Sequence, residues 1–129
     1  MAKATMGPVS GADLRTFRGE GGALTRGTAV MAGTADDQVK APTGAGVRCE
    51  GIAEESTLAA GDPVRVVRTG ECIAIAGGVI ARGDFVKIGG TNGRLVATTT
   101  ANDELAGRAV SSAAADGDEF VLDVFQGKY

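Results

Sequence analysis

In Ala81-Arg82-Gly83-Asp84-Phe85-Val86-Lys87-Ile88 a Gly-Asp pair leads into a strand-like run. The same phrase stands at Gly61-Asp62-Pro63-Val64 and at Gly117-Asp118-Glu119-Phe120. Glycine supplies the positive φ of a tight turn, and a short Asp side chain can bond a nearby backbone N–H. Each Gly-Asp therefore reads as a turn that delivers the chain into a strand. Asp62, Asp84 and Asp118 are turn residues before anything else. A cation site needs several oxygen ligands converging on one point. Three separated turns do not supply that, so no metal and no other cofactor is expected.

Working outward, the chain reads as two copies of one unit. Residues 27–66 overlay residues 83–122 without a gap. Gly27, Val30, Gly33, Gly51, Ala53, Gly61 and Asp62 fall on Gly83, Val86, Gly89, Gly107, Ala109, Gly117 and Asp118. Val39, Cys49, Val64 and Val66 fall on Leu95, Leu105, Phe120 and Leu122, so apolar character is kept where identity is not. Matching glycines imply matching turns. In the second copy Gly89-Gly90-Thr91-Asn92-Gly93 contains Asn92-Gly93, the strongest short hairpin signal. Alternation such as Val64-Arg65-Val66 fits strands with one wet face, and no helical period is sustained. The expected fold is all-β, a small barrel or sandwich.

With 129 residues the chain is one domain by length. The 21 Gly, far above the usual share of about 7%, and the absence of Trp point to short strands, tight turns and a core of small aliphatic side chains. The expected division is an extended N-terminal arm, residues 1–22, and a β domain, residues 23–129. The arm is poor in apolar residues. Asp13-Leu14-Arg15-Thr16-Phe17 alternates as an added strand would, which makes Leu14, Arg15, Phe17 and Arg18 candidate contacts with a partner.

The net charge is −3 with both signs mixed along the chain, which argues against nucleic acid or an anionic membrane as partner. There is no apolar run of membrane-spanning length, and the first residues lack a secretory apolar region. A cytoplasmic product is expected. Cys49 and Cys72 are the only cysteines and His is absent. Two thiols without His do not complete a usual zinc site. Burial as small hydrophobes is the expectation for both.

Without His there is no Ser-His or Cys-His nucleophile. No phosphate loop or zinc-protease motif is present, and the Gly-rich stretches do not run into a helix. The acidic pairs Asp36-Asp37 and Glu54-Glu55 read as solvated. Arg82-Gly83-Asp84 spells an integrin tripeptide, but its Gly-Asp belongs to the thrice-used turn. Lys40 and Lys87 lack the phrases of a lipoyl or biotinyl carrier. No enzyme is expected.

Two longer phrases carry a family resemblance. They are Leu58 to Thr99, "LAAGDPVRVVRTGECIAIAGGVIARGDFVKIGGTNGRLVATT", and Ala106 to Gly127, "AGRAVSSAAADGDEFVLDVFQG". Together they resemble the small capsid decoration, or cement, proteins of tailed bacteriophages. The step Ala106-Gly107-Arg108-Ala109 followed by Gly117-Asp118-Glu119-Phe120 is similar to theirs. The likeness covers about residues 24–127 and rests on strand-and-turn phrases. It implies a β-rich virion protein, made in the host cytoplasm, that binds the outside of an expanded capsid. Its partner would be the major capsid protein, and a homo-oligomer, most often a trimer, would stabilise contacts between capsomers. A surface-displayed or secreted β-sandwich binding module of adhesin type is the alternative. The missing secretory region and the scarcity of stacking aromatics speak against it.

Overall fold

The computed structural model describes residues 13–129. The strands are β1 (Asp13–Gly19), β2 (Ala29–Ala32), β3 (Gln38–Lys40), β4 (Gly51–Ala53), β5 (Pro63–Ile75), β6 (Phe85–Ile88), β7 (Leu95–Ala97), β8 (Glu104–Ala109) and β9 (Glu119–Lys128). No helix occurs among the described residues, so the all-β expectation holds.

The strands run in the order β1-β3-β2-β4-β5-β9-β8-β6-β7, and β1 also pairs β5. That extra pairing closes β1, β3, β2, β4 and β5 into a five-strand barrel. The far half of β5 continues into a second lobe through β9, β8, β6 and β7. There β7 returns to the end of β5 through one parallel bridge, Ala76–Leu95. The long strand β5 is thus shared, and it bridges the two copies instead of ending with the first.

The duplication is visible bond by bond. In the first lobe Glu20 N donates to Val39 O at 2.8 Å and Gly61 N to Gly19 O at 2.8 Å. In the second, Gly77 N donates to Leu95 O at 2.7 Å and Gly117 N to Ala76 O at 2.8 Å. Leu24 and Thr57 are bonded to each other, and Ile80 and Ala113 take the same places. The correspondence reaches back to β1, whose last residue Gly19 matches Ala76. Between them the first lobe carries one residue more, in its Gly21-Gly22-Ala23 turn, against Gly78-Val79. The apolar run Val79-Ile80-Ala81 forms no named strand and contributes the single bridge from Ile80 to Ala113.

Side-chain alternation divides the core. Phe17, Leu24, Val30, Val39, Ala53, Val64 and Val66 fill the first barrel. Their sequence neighbours Ala29, Ile52 and Val67 point outward, yet they are buried in a larger cluster with Ala74, Ile88, Leu122 and Val124 of the second lobe. The outer face of one barrel is thereby sealed by the other lobe. Burying an aliphatic side chain contributes about 1.5–3 kcal/mol, so the shared cluster welds the lobes into one body.

The expected arm boundary moves. Residues 13–19 are not an arm outside the core, because β1 is bonded on both sides, antiparallel to β5 and parallel to β3. Phe17, 4% exposed, is part of the first barrel's interior. Of the rest of the expected arm, Glu20 is bonded to Val39 and leads into the Gly21-Gly22 turn, and residues 1–12 lie outside the described residues.

Candidate interaction surface

The Gly-Asp turns share one local chemistry. Gly61, Gly83 and Gly117 have φ of 89°, 93° and 93°, a region L side chains rarely adopt. Asp62 Oδ2 accepts from Leu58 N at 2.9 Å and Ala59 N at 3.0 Å. Asp118 Oδ2 accepts from Ala114 N and Ala115 N, both at 3.1 Å. Asp84 Oδ2 accepts from Ala81 N at 2.9 Å. In the β6–β7 hairpin Gly93 has φ 73°, and Asn92 Oδ1 accepts from Arg94 N at 3.1 Å. All three turn carboxylates are therefore engaged in backbone bonds. Among the described residues no group of His, Cys, Asp or Glu is placed to hold a metal ion, and no helix is long and apolar enough to cross a membrane.

The predicted contact residues on β1 meet different fates. Leu14 is half-buried against the larger cluster. Phe17 is interior. Arg15 is exposed, with its guanidinium 4.9 Å from the centre of the Phe17 ring. Arg18 is exposed and pairs with Asp37 at 2.9 Å. The side-chain bond to Asp37 raises the Arg18 pKa, and the same bond holds the Asp37 carboxyl below its ordinary value. The structure does not gather the four into one surface.

The remaining ionisable groups mostly brace the fold. Lys87 and Asp103 pair at 2.9 Å and are largely shielded. Bonds from the Thr98 hydroxyl and from Lys87 hold Asp103 below the usual carboxylate range. Arg68 and Glu50 pair at 3.0 Å, and Gln126 Nε2 donates to Arg68 O at 3.1 Å. Burial pushes the Cys49 thiol, and likewise the Cys72 thiol, up to about 12.

One surface stands out on the outer side of the second lobe. Phe85 on β6 meets Phe125 edge-on at 6.2 Å and Tyr129 at 5.7 Å between ring centres. The Arg108 guanidinium lies 6.0 Å from the Phe85 ring centre. A shallow pocket beside it is lined by Arg82, Gly83, Arg108, Ala109, Val110 and Asp123. Tyr129 is 46% exposed and Val110 39%. Three of the five aromatic residues of the chain thus gather on one face. Sequence reasoning missed it because Phe85, Phe125 and Tyr129 are brought together only by the β6-β8-β9 order. The one available signal was position: Phe85 and Arg108 stand where the first copy has Ala29 and Ile52.

Two fused β lobes of one repeat, with their turn carboxylates engaged by the backbone, define a structural β module. The chain belongs to the phage cement protein family, whose model matches residues 10–124. Among solved structures it is similar to the crystal structure of the head fiber gp8.5 N base in bacteriophage phi29. That match has a TM-score of 0.69 and 21% identity, and covers 92% of this chain and 98% of the other. The likeness to the phi29 protein is one of fold. No curated protein matches the chain.

Proposed function

We propose that this chain is a structural virion protein that binds the exterior of the expanded capsid of a tailed phage and stabilises contacts between capsomers. The observation that carries the reading is the family match across residues 10–124. The fold supports it: two lobes welded through a shared core make a stiff body suited to bridging neighbouring subunits. The partner is the major capsid protein, and the assembly is a homo-oligomer, a trimer by preference, because a symmetric oligomer offers a lattice equivalent contacts. A ligand that binds only the expanded shell stabilises that state by linkage, and many copies multiply the effect. The chain acts without catalysis and without a cofactor. Its net charge of −3 does not suit nucleic acid or an anionic membrane. Arg15 and Arg18 are the exposed members of the predicted contact set and remain proposed capsid contacts on the first lobe.

The test is co-sedimentation of the purified chain with compact and with expanded shells of the phage that encodes it. Saturable binding to expanded shells alone, at a fixed copy number, is the expected result. Binding to neither form by a folded chain would overturn the reading in favour of the surface-displayed module.

A further inference from the structure

The two lobes offer the same outer face twice, and among the described residues only one of the two is covered. On the first lobe Gly27 O accepts from Ile75 N at 2.9 Å, and Ala29 N donates to Gly93 O at 2.8 Å. The second lobe is thereby hydrogen-bonded onto that face. Arg26 closes the contact with Glu119 at 3.4 Å, and Ile52 and Val67 beneath it are fully buried. The duplication carries Arg26, Gly27, Ala29, Ile52 and Val67 onto Arg82, Gly83, Phe85, Arg108 and Asp123. There Arg82, Arg108 and Asp123 are exposed. Neither arginine has an ion-pair partner among the described residues. Asp123 stands opposite Arg108 across the β8–β9 pairing without joining it in an ion pair. Gly83 O receives Arg108 Nε at 3.2 Å, where its counterpart Gly27 O receives a backbone amide from the neighbouring lobe.

We infer that this open face docks an extended acidic segment of another protein, which presents a carboxylate to Arg82 and Arg108 and an apolar side chain to Phe85. The covered face is the template: Ile75 supplies its apolar side chain and Glu119 its carboxylate. Arg82 and Arg108 line one pocket, with the Arg108 guanidinium lying by the Phe85 ring, and paired guanidinium groups suit a carboxylate. Charge also selects among occupants. A second copy repeating the inter-lobe contact would bring Arg18 to the place of Ile75 and Pro63 to the place of Glu119. An arginine would then approach two arginines, and no carboxylate would reach Arg82. Residues 1–12 contain Lys3 and no acidic residue, so they do not fit either. Resting on the function proposed above, the segment belongs to the shell protein.

The test compares variants in binding to expanded shells, with melting curves to confirm folding. Arg82→Glu together with Arg108→Glu lowers the apparent affinity about tenfold or more, and Arg82→Glu alone gives part of that loss. Arg48→Glu, at an exposed arginine also without an ion pair, leaves affinity unchanged. Because Arg82 makes no side-chain hydrogen bond or ion pair among the described residues, its single variant keeps the test valid if the double variant folds poorly. Wild-type affinity in both Arg82 variants, or an equal loss in Arg48→Glu, overturns the docking face and leaves the capsid reading standing. A wild-type chain that binds no shell overturns both.

Discussion

Gly51 and Gly107 occupy the same place in the two lobes, with φ of 158° and 159°. Each lies at the strand crossing where backbone meets backbone. A Cβ on Gly51 would run into Val67 O, and one on Gly107 into Asp123 O. The obstacle is main chain in both cases, which cannot swing aside as a flexible side chain can.

Alanine at either position therefore forces β4 or β8 away from its neighbour. The expected cost is about 3 kcal/mol, the upper part of the overpacking range, or roughly 10 °C in melting temperature. Gly44→Ala is the matched control, since nothing lies near its Cβ position. Calorimetry of the three variants checks this, and equal melting temperatures would contradict the packing argument.

The Gly-Asp turns make a second expectation. Asp62→Ala and Asp118→Ala each leave two backbone N–H groups without their acceptor. These turns are exposed, so water replaces part of the loss, and each substitution should cost about 1 kcal/mol. Asp→Asn keeps an acceptor oxygen and should recover much of it. Urea unfolding of the four variants decides the matter; Asn variants no better than Ala would sink the assignment of the carboxylate as acceptor.

How much of this was legible in the sequence depended on the range of the signal. The Gly-Asp turns and the Asn92-Gly93 hairpin are local, set by side chains a few residues apart, and the repeat of Gly51 at Gly107 showed that two copies exist. The place of β1 was not legible. Asp13–Gly19 is mostly polar and pairs with residues near 65 and near 38, a long-range choice that no local pattern encodes. Nor did the glycine at position 70 mark an end to the strand. β5 runs through it from Pro63 to Ile75, and that continuity makes two lobes share one strand. The aromatic face depended on strand order in the same way.

Acid should weaken the fold in a defined direction. Asp103 is held below the ordinary carboxylate range by Thr98 and Lys87. Its folded pKa is depressed, so its contribution is present above the unfolded value, about 4, and is lost as pH falls through the folded one. Melting temperature should drop below about pH 4, and Asp103→Asn should flatten that part of the profile. An unchanged acid limb in the variant would remove Asp103 from the explanation.

The thiols give the opposite sign. Cys49 and Cys72 both have pKa values pushed up to about 12 by burial, so the folded chain holds protons that the unfolded chain releases from about pH 8.5. Their contribution is present below that value and declines as pH rises toward 12. Because the thiolate is the nucleophile, iodoacetamide at pH 8 should label neither cysteine in the native chain and both in urea. Rapid native labelling of Cys49 would contradict its burial.

The central claim is that the chain strengthens a capsid from outside, and the rupture temperature of DNA-filled capsids tests it most directly. Capsids stripped of the protein should release DNA at lower temperature than decorated ones, and adding purified chain back should restore the higher value in proportion to occupancy. Full occupancy with no change in rupture temperature would contradict the account, leaving a protein that decorates the shell without cementing it.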